Sequence, residues 1–481
     1  MKPGARLLTV GLGLLLSACT VVGPDYSLPK DAAVNRPDLQ GEIAGSSANV
    51  VSAPVPADWW RLYNDPTLDN LVGQALSSSA DLRVAAANLQ RARYETNEAQ
   101  AAGGFTNSAK AGAQRLQESG QAFLLPEKVP VANVGDVGLT TSYQFDLFGV
   151  LQRGIEAAEA STDAAQAAVD TARITLVADV VRSYTQICAA NEERNIALHS
   201  LALQQQSLNL TQRMRDAGRG DETQVTRSQT QYKSLRADLP RYEAAQRAAM
   251  YRLSMLLARP LNQLPKGVAD CAELPRIAQV MPVGDGAALL KRRPDVRQAE
   301  RRLAVSSAAI GVATGELYPD ISIGATVGTV GILKDLGDPS TNRWGFGGVI
   351  NWTLPSNGAR ARIHMAEASN QAALAHFDGV VLNAIREAQT GLSQYTALLE
   401  RRDALADTEA SAKQAADQTH RFFLAGRESF LADLQATRTY TDVTAQLAAA
   451  NTQVAMGQID LFLALGGGWE NGQVEQAQAH K

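Results

Sequence analysis

The residues able to do chemistry are few and scattered. The chain has five histidines, among them His199, His364, His376 and His420, and three cysteines, Cys19, Cys188 and Cys271. The histidines show no paired ligand spacing and have no cysteine companions, so the donor set of a zinc-type site is missing. Gly324 to Gly331 is glycine-rich but lacks the lysine and following Ser/Thr of a phosphate loop, and Gly-x-Ser-x-Gly is absent. An enzyme is not expected, and no cofactor or metal is implied. Cys188 sits in a helical run and Cys271 in a loop. They are read as a packed thiol and a loop thiol rather than a disulfide, although the compartment inferred below is oxidising.

Cys19 has a different chemistry available. Lys2 and Arg6 make a basic start, and Leu7 to Leu16 form an apolar run too short for an ordinary transmembrane helix. The run ends in Leu16-Ser17-Ala18-Cys19, which resembles a bacterial lipobox: small residues admit a signal peptidase and the thiol becomes diacylated. A plain signal peptide with a chance cysteine is the alternative. Two or three acyl chains make a stable anchor where one holds only marginally. Thr20 follows the cysteine, and the lack of aspartate there fits outer-membrane sorting by analogy with enteric bacteria. Residues 1–18 are thus a lipoprotein signal peptide. Residues 19–56, rich in Pro, Gly, Ser and Ala, suit an extended lipidated tether.

The elements that position these groups are mostly helical. A net charge of -4 over 481 residues and 5% aromatics point to neither nucleic acid nor an acidic substrate, and they favour extended helical packing over compact domains. From Gly358 to Leu465 there is no proline, and good helix formers dominate. One mark interrupts the run, Leu424-Ala425-Gly426-Arg427-Glu428-Ser429. There Gly426 can close one helix with a left-handed cap and Ser429 can N-cap the next. The reading is a helical hairpin whose arm of about 65 residues spans about 100 Å. An earlier arm lacks proline between Pro130 and Pro240, and Val169, Ala172, Leu176, Val180, Tyr184 and Ile187 recur at spacings of three or four. A soluble coiled-coil rod would show the same period.

The chain says nearly everything twice. Asp81-Leu82-Arg83-Val84-Ala85 returns as Asp295-Val296-Arg297-Gln298-Ala299, and Met214-Arg215-Asp216-Ala217-Gly218-Arg219 as Phe422-Phe423-Leu424-Ala425-Gly426-Arg427, offset by about 210 residues. Such self-similarity is a tandem duplication of short helix, two strands and two long helices. The copies are placed at residues 57–270 and 271–466, with a tail at 467–481.

Four strands are expected. Leu139, Thr141, Tyr143, Phe145 and Leu147 alternate with polar residues; so do Ile321, Ile323, Ala325 and Val327, and Trp344, Phe346, Gly348, Ile350, Trp352 and Leu354 with small or mostly polar ones. A weaker strand lies near Ala109, Ala111 and Ala113. Period-2 alternation over about ten residues suits a membrane-spanning strand, and equally a half-buried soluble sheet. Four strands cannot close a barrel, and an open edge in lipid leaves backbone groups unsatisfied. Three copies of four strands supply twelve, so a cyclic homotrimer is expected.

The sequence resembles the outer-membrane efflux factors, the TolC-like channels, in their lipoprotein branch of NodT- and OprM-type proteins. The matching residues are Trp59-Trp60…Asp65-Pro66-Thr67-Leu68, Ser142-Tyr143-Gln144-Phe145-Asp146-Leu147-Phe148-Gly149, Arg293-Pro294-Asp295-Val296-Arg297-Gln298-Ala299-Glu300 and Ala464-Leu465-Gly466-Gly467-Gly468-Trp469. With the duplication they cover nearly the whole mature chain. The resemblance implies a mainly α fold: a trimeric membrane β-barrel continued by an α-barrel into the periplasm. There it meets a periplasmic adaptor and an inner-membrane resistance-nodulation-division pump, to export drugs or small solutes. A type I protein-secretion duct and a structural periplasmic lipoprotein are the alternatives. The resemblance also implies a pore gate after the second tip turn, where Leu431 matches the family's leucine and Gln435 replaces its aspartate. Asp433, about 200° round the helix from either, should point away. Leu431 as an ordinary interhelical knob is the plainer reading. Arg219, Asp221, Arg421, Arg427 and Glu428 are candidates for inter-coil tethers or adaptor contacts, with mere solvation the alternative.

Overall fold

The computed structural model describes residues 21–43, 50–124, 126–265, 267–277 and 280–467. In chain order the helices of eight residues or more and the long strands are α1 (Pro66–Ser78), α2 (Ala80–Ala101), β1 (Thr106–Leu116), β2 (Ala132–Phe145), α3 (Val150–Asp216) and α4 (Glu222–Leu256). After a short helix α5 (Gly286–Arg292), the pattern returns as α6 (Pro294–Gly315), β3 (Asp320–Ile332), β4 (Asn342–Asn351), α7 (Asn357–Leu424) and α8 (Phe430–Ala464). The duplication shows in the lengths: 22 residues in both α2 and α6, 67 and 68 in α3 and α7, 35 in both α4 and α8.

Both hairpin turns close alike. Gly426 takes a φ of 71°, its N–H donates to Phe423 O at 2.9 Å, and Arg427 N–H reaches Phe422 O at 2.9 Å. Ser429 Oγ then accepts from Ala432 N–H at 3.1 Å. In the first copy Gly218 (φ 68°) and Arg219 make the same two bonds to Arg215 O and Met214 O. These are Schellman caps, in which a left-handed residue satisfies carbonyls that the helix end leaves open.

The chain forms two compact units. One holds Asn88–Gln166 and Gln298–Phe377 with the described N-terminal residues to Pro29; the other holds Lys30–Ala87, Ala167–Arg297 and the chain from Asp378. The second unit has a dense core. Trp59 stacks on Phe462 with ring centroids 4.6 Å apart, and Leu68, Leu71, Leu253 and Ile459 of the same unit are also fully buried. Leu176, Val180, Tyr184 and Ile187 are buried as their spacing predicts, and so are Val177, Val181 and Ser183. Helix α3 is therefore enclosed on more than one side there.

One expectation is corrected. Cys188 and Cys271 are not separate thiols but a disulfide, with Cα atoms 4.9 Å apart across 83 residues. The segment after α4 folds back over α3, where Asn191 Nδ2 donates to Ala269 O and Cys271 O at 2.9 and 2.7 Å, and Leu274 N–H to Glu192 at 3.2 Å. Sequence separation hides this return. The described N-terminal stretch makes its own contacts. In the first unit Val22 N–H donates to Phe148 O at 2.9 Å; in the second, Ala33 N–H donates to Asp378 at 2.7 Å, and Val50–Val51 pairs with Met281–Pro282.

The first unit carries an antiparallel sheet ordered β1-β2-β3-β4. Its register sets Ala109, Leu139, Val327 and Trp344 in one row, and Asn107, Thr141, Ala325 and Phe346 in another, on the same face. Leu139, Val327, Trp344, Phe346 and Ile350 are all exposed on that face. The opposite face carries the polar pairs, with Val330, Ile332 and Val349 also exposed on it: Thr140 meets Thr326, Gln144 Nε2 donates to Asp320 at 2.6 Å, and Arg343 pairs with Asp136. Strands β1 and β4 are edges, paired on one side only. Among the described residues no helix is long and apolar enough to cross a membrane.

Candidate functional site

The tip of the second hairpin sorts its side chains by face. Leu431 is 51% exposed and Gln435 is exposed one turn later, while Asp433 between them is buried. Its carboxylate turns onto α7, where His420 Nδ1 lies 3.2 and 3.3 Å from the two oxygens. Sequence reasoning placed Asp433 off the exposed face but missed its partner, because a histidine 13 residues earlier meets it only once the hairpin has folded back.

The five tip charges have different tasks. Asp221 caps α4, accepting from Gln224 N–H at 2.9 Å. Arg421 Nε donates to Asp417 O at 3.1 Å within α7. Arg219, Arg427 and Glu428 are exposed. Among the described residues no ion pair within the chain uses any of these five. The first turn is instead braced by Arg215, which bonds Asp216 at 2.7 Å and Glu222 across the turn at 3.1 Å. Its repeat counterpart is uncharged, so the duplication did not point to it.

The four sequence motifs are structural supports. Asp65 Oδ1 caps α1 by accepting from Thr67 and Leu68 N–H at 2.8 and 3.2 Å, while Oδ2 accepts from Tyr184 OH at 2.7 Å. Burial, then this bond to Asp65, pushes the Tyr184 phenol above its usual range. Arg293 is 7% exposed; it forks onto Asp295, reaches Glu387 at 2.8 Å, and donates from Nη1 to Ala464 O at 2.8 Å, closing the C-terminal end of α8. Gly468 and Trp469 lie outside the described residues.

Cys19 also lies outside them, but Val22, Gly23 and Asp25 are held by one side chain. Arg153, 3% exposed, donates from Nε to Val22 O at 3.0 Å and from Nη2 to Gly23 O at 3.3 Å and Asp25 at 2.7 Å, while Nη1 bonds Glu156 at 2.7 Å. Gly23 is pressed against Gly311; a Cβ on Gly23 would lie 2.3 Å from the Gly311 Cα, so neither tolerates a side chain. The clamp sits at the base of the sheet, where Phe148 stacks on Tyr318 at 4.5 Å and Trp352 Nε1 donates to Leu317 O at 3.1 Å.

Comparison with known proteins gives one consistent result. The profile of the family described as outer membrane efflux protein matches residues 71–259 and 287–467. Nodulation protein T of Rhizobium leguminosarum bv. viciae is 29% identical over 478 residues, spanning 96% of this chain and 94% of its own. Outer membrane protein OprJ of Pseudomonas aeruginosa is 27% identical over 480 residues, spanning 98% of each. Among solved structures, the outer-membrane channel OprN superposes with a TM-score of 0.86 at 32% identity, covering 93% of this chain and 99% of that one.

Proposed function

The chain belongs to the outer membrane efflux protein family and is an outer-membrane efflux channel, and on that premise we propose the following assembly and gate. Three copies pool their sheets into one twelve-stranded barrel, anchored by acylated Cys19. The long helices form a periplasmic duct that receives drugs or small solutes from an inner-membrane resistance-nodulation-division pump through a periplasmic adaptor. The carrying observation is the sheet. It has two open edges of 11 and 10 residues and an exposed apolar face bearing Trp344, Phe346 and Ile350. In lipid such edges cost several kcal/mol per unpaired backbone group, and closure with neighbouring copies removes them. The two copies at residues 57–270 and 271–466 each give one long hairpin to the duct.

At the tip, Leu431 forms an apolar ring and Gln435 an uncharged one. Support comes from the exposure of both and from the inward turn of Asp433, which leaves no carboxylate on that face of the first turns of α8. Arg219, Asp221, Arg421, Arg427 and Glu428 make contacts between copies or with the adaptor, each pair worth about 0–1 kcal/mol. Single-channel recording tests the gate. Leu431→Ala should raise conductance, and Gln435→Asp should increase cation preference. Unchanged currents in both variants refute the assignment. Deletion of the gene should sensitise cells to pump substrates, and purified protein should run as a trimer.

A further inference from the structure

The polar face of the sheet carries a cluster of charge at mid-height. The register aligns Lys110, Gly138, Gly328 and Arg343 in one row across all four strands. Both central positions are glycine, so no side chain shields the two cations. Arg343 lies across this glycine bed to pair with Asp136; a Cβ on Gly138 would come within 3.2 Å of its Nη2. Lys110 is exposed and has no ion-pair partner among the described residues. The other strand charge on this face, Asp320, stands at the first residue of β3, eight residues or about 26 Å from the row. One lysine and one arginine against one aspartate leave one net positive charge per chain at this level.

We propose that Lys110, with the Arg343–Asp136 pair, makes the barrel lumen a basic ring that favours anionic solutes. The proposal rests on the trimeric barrel argued above, in which the polar face lines the lumen and three copies give a net charge of +3. The apolar face cannot be the lining, because its exposed Trp344, Phe346 and Ile350 need lipid. A twelve-stranded barrel has a backbone radius on the order of 12 Å. Three charges at that distance enrich a monovalent anion on the axis about threefold in ~0.01 M salt and about 1.7-fold in ~0.1 M salt. With the tip rings uncharged, discrimination by charge falls to the barrel.

The test is the reversal potential of purified protein in planar bilayers under a potassium chloride gradient. Wild type should prefer chloride in dilute salt and lose the preference near 1 M. Lys110→Gln should bring the chloride-to-potassium permeability ratio close to unity, and Lys110→Glu should invert it. A heat-resistant oligomer in detergent shows that a variant has assembled, and if Lys110→Glu does not assemble, the neutral Lys110→Gln decides the matter. Channels of either variant with the wild-type ratio in dilute salt overturn the ring alone. Wild-type and Leu431→Ala proteins that both insert as oligomers yet conduct nothing overturn the conduit and the ring together.

Discussion

Asp433 has 6% of its side chain exposed, and its hydrogen-bond partner is a histidine that is half in solvent. A buried acceptor stripped of its partner is penalised more than the bond itself contributes. His420→Ala should therefore destabilise the tip by about 1 kcal/mol, seen as faster amide exchange in the first turns of α8, whereas His420→Ala with Asp433→Leu should recover most of the loss. Glu193 offers a pH-dependent case. Burial raises its carboxyl above the usual range, partly offset by the hydrogen bond from Thr452 at 3.0 Å and by Arg241. A carboxyl raised in the folded state favours folding when protonated. That contribution is full below the ordinary carboxyl range and is lost as pH rises through the raised folded value. Glu193→Gln keeps an acceptor for Thr452 and never ionises. It should raise the melting temperature slightly at neutral pH and have no effect near pH 3.

Among the elements, the helices were legible and the returns were not. Gly426 and Ser429 announced the second tip from residue type alone, because a left-handed cap and an N-cap are local chemistry. The Cys188–Cys271 bridge joins the middle of α3 to a segment 83 residues later, and no local signal places them 4.9 Å apart. The disulfide closes a long loop, so its removal should cost about 2–4 kcal/mol. Melting Cys188→Ser beside wild type, with and without reductant, checks this: reductant should lower only the wild-type transition, to about the variant's value. The contacts of the N-terminal strap were missed likewise. Its Pro, Gly and Ser content reads as tether, and Gly23 there meets Gly311, while the Arg153 side chain spans three successive bonds to Val22, Gly23 and Asp25.

For the molecule as a whole, the sheet faces decide how the chain lives in lipid. Lysine at the membrane midplane on the lipid face of a barrel costs about 2–4 kcal/mol. Trp344→Lys with Phe346→Lys should accordingly abolish the heat-resistant oligomer in outer-membrane fractions. Gly345→Lys, one residue away on the opposite face with open space around it, should leave assembly intact. Gel mobility with and without heating separates the two outcomes.

Fold class, duplication, strand alternation and both tip turns followed from sequence alone, because helix propensity, capping and period-2 patterning act over a few residues and repeat on a fixed offset. The partner of Asp433, the disulfide, the docked strap, and the row that aligns Lys110 with Arg343 across four strands came only from tertiary structure. Each depends on which distant segments the folded chain lays side by side, and such adjacency leaves no periodic trace in one sequence.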